Sequence, residues 1–172
     1  LSLPSMPATS RQTEKQSSIL GLLRNPVVMM GMLAISLFFM GQFSLYTYVR
    51  PFLETITRVD ISTLSLILLG IGVMGFIGTA VINTFLKRRF YATLIIIPIM
   101  MAVIALSLVF LGTSTIVVAV LLCIWGFLAT AAPVGWWRWL ARTLPNDAEA
   151  GGGLMVAVIQ LAIALGSTLG GI

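Results

Sequence analysis

The sequence predicts an all-α, polytopic membrane helix bundle. Three observations carry that class. Of the 172 residues, 59% are hydrophobic and only 9% are charged, where a soluble domain carries about 25% charged residues. The apolar residues come in long runs, several reaching the length of about 20 that a membrane-crossing helix needs. The runs do not alternate, so a transmembrane barrel, with weak alternating segments of about ten residues, is not the pattern. In lipid each backbone group must then be satisfied within its own helix.

Residues 1–18 are polar, with Pro4, Pro7 and several serines. They lack an apolar signal-peptide core and read as a linker. The segment 17–26, SSILGLLRNP, is mildly amphipathic and reads as a short interfacial helix before Pro26 opens the first span. The domain division expected is 1–26 as cytoplasmic linker and 27–172 as transmembrane bundle. The chain opens on Leu1 and stops at Ile172 inside an apolar run, so it is expected to be a piece of a longer protein, incomplete at its C-terminus.

The first span is expected at Val27–Val49, ending at Arg50-Pro51, where the ring removes a backbone donor and should break or kink the helix. The second is expected at about Ile61–Leu86, the third at Tyr91–Leu111 and the fourth at Thr115 to about Trp137. The fifth should start near Ala150 and run to Ile172. Loop charges set the orientation. Arg11, Lys15, Arg24, Lys87, Arg88, Arg89, Arg138 and Arg142 fall on one side, and only Arg50 and Arg58 on the other. The side with eight is expected to be cytoplasmic. Trp136, Trp137 and Trp139 would then lie at headgroup depth at the inner end of the fourth span.

Several polar or small residues interrupt the spans. Gln42, Tyr46 and Arg50 recur every four residues and form one stripe. A glutamine deep in lipid must find a partner or water, so the stripe either lines a substrate path or bonds between helices. Gly75, Thr79 and Asn83 share a face of the second span, with Gly78 beside them. Close helix packing explains the glycines; Asn83 or Thr79 touching a polar cavity is the other reading. Gln160 is the deepest strongly polar group of the fifth span, either cavity lining or interhelical glue. Pro133 and Gly135 could kink the fourth span as a hinge, and Trp136, just after them, is placed facing the inner cavity.

Other function classes lose ground. Cys123 is the single cysteine and histidine is absent, which removes a disulfide framework and most zinc or iron sites. No nucleophile-elbow, zincin or P-loop pattern occurs. An enzyme is not expected, and no cofactor or metal is implied. The net charge of +5 sits in short clusters, so nucleic acid is not a partner. Glu54, Asp60, Asp147 and Glu149 all fall in loops, so no carboxylate lies mid-span to relay protons.

The strings GQFSLYTYVRPFL, FLKRRF and PVGWWRWLARTLPNDAEAGGGLMVAVIQLAIALGSTLGG, in that order, resemble the C-terminal half of a major facilitator superfamily exporter. The branch they are most similar to is that of drug:proton antiporters with purine ribonucleoside and sugar efflux permeases. The resemblance covers the chain after the linker. It implies helices seven to eleven of a twelve-helix fold, with seven, eight, ten and eleven bordering a central cavity and nine facing lipid. The gating loop of many members, with its aspartate and glycines after helix eight, is reduced here to LKRRF. The implied function is secondary active export of a small polar molecule, nucleoside or purine first, sugar or drug next, by proton antiport with alternating access. The implied partners are substrate, protons, the lipid bilayer and the N-terminal half of the same transporter, in a bacterial inner membrane. The alternative is a membrane-embedded scaffold or assembly subunit without transport, which gains if Gln42, Tyr46 and Gln160 point at different neighbours.

Overall fold

A computed structural model describes residues 21–170. The linker, and the first part of the amphipathic segment, lie outside those residues; 21–24 are helical. Five helices among the described residues are long and apolar enough to cross a membrane, as the hydrophobic runs predicted.

Helix α1 spans Pro26–Phe52. The Asn25 side chain caps it, accepting from the Val27 amide at 3.0 Å, with Pro26 at the first position where its missing donor costs nothing. A break or kink is expected at Pro51, but the helix does not break there. It passes through and widens into a π-helical turn over Leu53–Thr57. In that turn the Thr55 hydroxyl donates to the Pro51 carbonyl at 2.7 Å, and the Val59 amide donates to the Leu53 carbonyl at 3.1 Å. Thr57 is buried, and its hydroxyl donates to the Gly112 carbonyl at 2.8 Å. That bond fastens the C-terminal end of α1 to the hairpin after the third helix. Thr57→Val, which keeps the shape and removes the donor, should cost about 1 kcal/mol. An unchanged thermal midpoint for the variant would refute that fastening.

Helix α2 spans Ile61–Arg88. Asp60 caps it through the amides of Ser62 and Thr63 and the Thr63 hydroxyl. The Thr63 hydroxyl bond is the main cause holding the Asp60 carboxyl below its ordinary range. The folded value is depressed, so the cap stabilises fully above the unfolded pKa and is lost as pH falls through the folded one. The protection factors of the Ser62 and Thr63 amides, taken against their intrinsic exchange at each pH, should therefore fall on acidification before those of the rest of α2.

Helix α3 spans Phe90–Leu111 and α4 spans Thr115–Thr143. The buried residues of α3 (Phe90, Leu94, Ile97, Met101, Ile104, Leu108) form one narrow stripe at spacing four and three. Its other faces are apolar and exposed, as suits lipid. Helix α4 is longer than expected: its 29 residues pass Trp137 by six and rise about 43 Å, against about 30 Å of hydrocarbon. Pro133 lies inside it without ending it. At its C-terminal end the Arg142 guanidinium sits 4.2 Å over the Phe90 ring, a cation–π contact that ties α4 to α3.

Helix α5 spans Ala148–Leu169. It pairs with α1 through small residues and three hydrogen bonds. Ser44 donates to the Gly166 carbonyl at 2.9 Å, Tyr48 to Ser167 at 3.0 Å and Thr47 to the Ser167 hydroxyl at 3.1 Å. A second tight pair, α2 with α4, is built alike. Gly75 and Gly78 face Thr130 and Phe127, Gly126 faces Ile71, and the Thr130 hydroxyl donates to the Gly75 carbonyl at 2.7 Å. Gly75 and Gly78 thus serve the close packing that small residues allow in lipid. Gly135 packs on Leu94 of α3. The bundle is two tight pairs, α1–α5 and α2–α4, with α3 laid against α4.

Candidate substrate-cavity face

Tyr46 is the most exposed aromatic ring inside the first span, at 56%, and it rests on Trp125 of α4, which is 2% exposed. The rings stack with centroids 5.9 Å apart and planes at 17°. Phe43 meets Tyr46 edge-on at 6.0 Å. A buried indole therefore fixes the phenol while much of the phenol's surface stays open, which pre-orients a flat apolar surface with a hydroxyl at its rim.

Gln42 lies one turn before Tyr46, yet its surroundings differ. It lines a groove between α1 and α3, and its side-chain Oε1 is buried without a hydrogen-bond partner. Arg50, one turn after Tyr46, is exposed near the C-terminal end of α1 and donates from Nε to Glu54 at 2.8 Å. The stripe expected along α1 is thus divided among three settings.

On α2, Asn83 is exposed and makes no side-chain hydrogen bond among the described residues. Thr79, one turn earlier, donates to the Gly75 carbonyl at 3.1 Å. On α5, Gln160 is exposed and likewise makes no such bond. It lies off the stripe of Met155, Ala162 and Gly166 that buries this helix. Gln42 and Tyr46 thus meet different neighbours, α3 and Trp125 of α4, and Gln160 is exposed on α5, an arrangement under which the reading without transport gains.

Trp136 is not open to a cavity. It is 7% exposed, packed against Phe38 of α1 at 6.5 Å and against Trp139 at 6.3 Å. The Trp139 ring tip fills the space over Gly31 of α1. Only Trp137, 45% exposed, has the exposure expected of a headgroup belt. The reason is the extra helix: with α4 continuing to Thr143, positions 136 and 139 fall on the α1-facing side rather than in a mouth.

Sequence reasoning missed Trp125 and Thr130. Trp125 carried a signal, since tryptophan favours span ends and this one lies eleven residues into its helix. Thr130 carried little, because a threonine in lipid commonly bonds back to its own helix. Here it also bonds across to Gly75.

Chemically, the exposed set offers stacking and neutral hydrogen bonds. Among the described residues no cluster of three or more His, Cys, Asp or Glu could hold a metal. Such a face suits binding an uncharged polar molecule with a planar ring better than bond-making.

Comparison with known proteins agrees with this membrane architecture. The chain is 60% identical over 172 residues to a protein of Pseudomonas aeruginosa named transcription regulatory protein OpdE, covering 99% of this chain and 43% of that one. It is 39% identical over 170 residues to the purine ribonucleoside efflux pump NepI of Salmonella paratyphi B and of Salmonella typhimurium, covering 99% of this chain and 42% of each. The chain thus spans less than half the length of these relatives. No solved structure matches it. The sequence model of the Major Facilitator Superfamily matches residues 2–167. With that match over nearly its whole length and five membrane-sized helices, the chain belongs to the Major Facilitator Superfamily, a family of multi-pass membrane transporters rather than enzymes.

Proposed function

We propose that this chain is part of the C-terminal half of a secondary active exporter of the bacterial inner membrane. Residues 1–26 form its cytoplasmic linker and 27–172 its transmembrane bundle. The exporter moves a small polar molecule, nucleoside or purine first and sugar or drug next, by proton antiport with alternating access around a midplane site. Its partners are that substrate, protons, lipid and the N-terminal half of the same protein.

The observation that carries the reading is the exposed Tyr46 ring stacked on buried Trp125. A planar base stacks on such a ring, and neutral amides such as Asn83 and Gln160 suit its polar edge. The name of the 39% identical relatives, a purine ribonucleoside efflux pump, supports the same substrate class. Arg50, paired with Glu54, stands at the outer end of the path. Gln42 and Trp136 stand off this face, and Pro51, Pro133 and Gly135 are the positions where α1 and α4 would bend.

A second reading, a membrane protein that does not transport, draws on the regulatory name of the 60% identical relative and on the divergent settings of Gln42, Tyr46 and Gln160. Efflux decides between them. Cells lacking related exporters and expressing the intact protein, loaded with labelled inosine, should release it in an uncoupler-sensitive way. Release that ignores the uncoupler would remove proton antiport; no release of inosine, sugars or cationic drugs from a folded protein would favour the second reading.

A further inference from the structure

Consecutive residues of α1 turn to different helices. Tyr46 rests on Trp125 of α4, and Thr47, about 100° further round, meets Ser167 of α5. Helices α4 and α5 touch beside the turn that joins them, where Gly151 faces Leu140 and Leu144 and Gly152 faces Trp137. Away from that turn each packs on α1 instead, α4 through Trp136 and Trp139 and α5 through Gly166 and Gly170. A strip of α1 therefore lies between them, and at Tyr46 and Thr47 it is exposed.

A hydroxyl in a membrane helix commonly returns its proton to the backbone of its own helix. Ser36, Thr143 and Thr168 do so, to Met32, Trp139 and Ala164. Ser44 and Tyr48, both half-buried, donate to α5 carbonyls and account for the grip between the two helices. The contact of Thr47 with Ser167 is of another kind. It joins two hydroxyls, 3.1 Å apart, on the exposed side of that grip. Whichever oxygen donates, one proton of the pair is left over, and among the described residues it has no acceptor. Lipid offers none either, so the arrangement is costly there and suits a wet cleft.

The pair thus presents one free donor beside free lone pairs. A vicinal diol is its complement, with one hydroxyl to accept and one to donate. On the preceding residue, with Cα atoms about 3.8 Å apart, the open Tyr46 ring offers a flat stacking surface. A stacking ring and a diol reader so placed fall within the span of one nucleoside.

We infer that Thr47 and Ser167 bind the 2′,3′-diol of a ribonucleoside whose base stacks on Tyr46, and that this pair selects ribonucleosides against 2′-deoxyribonucleosides. The inference rests on the transport reading above and names the part of the substrate that two further residues recognise.

Counterflow by the intact protein in proteoliposomes tests it, since exchange of labelled for unlabelled solute needs no driving ion. Vesicles loaded with inosine should take up labelled inosine, and 2′-deoxyinosine should compete about ten-fold less well than inosine. That ratio equals about 1.4 kcal/mol, in the range for a polar group left without its partner. Thr47→Val and Ser167→Ala should each bring the two competitors within about two-fold of one another, by weakening inosine and leaving 2′-deoxyinosine where it was. Thr168→Ala, which removes a hydroxyl already bonded within α5, should keep the wild-type ratio. Equal competition in the wild type, or a ratio that survives both substitutions, would overturn the inference and leave transport standing. A parallel loss of both nucleosides in the variants would make the pair packing alone and overturn it too. Counterflow of sugars or drugs without inosine would likewise overturn it. No counterflow of any of these by folded protein would overturn the transport reading as well.

Discussion

Gly78→Ala should be among the most damaging single substitutions in this bundle. The methyl it adds would overlap the carbonyl oxygen of Phe127, with the Phe127 Cα only 3.1 Å away. Both are backbone atoms, so no side-chain rotation relieves the clash and α2 and α4 must separate. Overpacking costs about 1–3 kcal/mol even where side chains can give way, so the upper end of that range is the expectation here. Gly166→Ala meets the Met40 carbonyl in the same way and should do to α1–α5 what Gly78→Ala does to α2–α4. Separation would also weaken the Thr130 bond to Gly75 in one pair and the Ser44 bond to Gly166 in the other. Gly72→Ala is the control. It lies on α2 with nothing within 4 Å of an added methyl, and alanine gains about 0.5–1 kcal/mol over glycine in a helix interior. Thermal melts of the intact protein in detergent should show large drops for the first two variants and none for the third. Equal midpoints for Gly78→Ala and Gly72→Ala would refute backbone-to-backbone packing of α2 on α4.

What was legible in the sequence follows from which forces act locally. Lipid imposes a length on every span, so all five helices stood near their predicted places. Gly75 and Gly78, three residues apart in α2, announced close packing because backbone approach in lipid needs small residues. The errors came from ends and directions. The donor that Pro51 lacks concerns one carbonyl, that of Thr47, and α1 continues past it into the π-turn over Leu53–Thr57. The end of α4 was placed where the tryptophans begin, since Trp marks the interface; tertiary packing on Phe38 and Gly31 uses two of them as core instead. Spacing placed Gln42 and Tyr46 on one stripe, 40° apart at 100° per residue. That small angle is enough, beside a helix as bulky as α4 at Trp125, to send one side chain into the α3 groove and leave the other exposed. No local rule predicts that split, because it depends on where a helix eighty residues away sets its indole.

The same indole fixes the size of the effect expected at Tyr46. Tyr46→Ala should lower efflux of a purine nucleoside by about five-fold or more, with the protein still folded. Stacking of a base on an aromatic side chain is worth about 1–3 kcal/mol by alanine substitution, and about 1.4 kcal/mol is a factor of ten. The fold should survive because Tyr46 is 56% exposed and makes no side-chain hydrogen bond among the described residues. Tyr46→Phe keeps the ring over Trp125 and loses only the hydroxyl, so it should retain most of the efflux. Trp125→Ala is the opposite kind of change. It empties a fully buried site, where loss of an aromatic side chain typically costs about 3–5 kcal/mol, and should reduce the amount of folded protein before any transport is read. The contrast separates a ring that meets substrate from one that holds it in place. It also separates substrates: a sugar has no flat π-face, so Tyr46→Ala should depress nucleoside efflux more than sugar efflux in the same cells. Equal losses for both would leave Tyr46 as packing around α4 and remove the stacking platform.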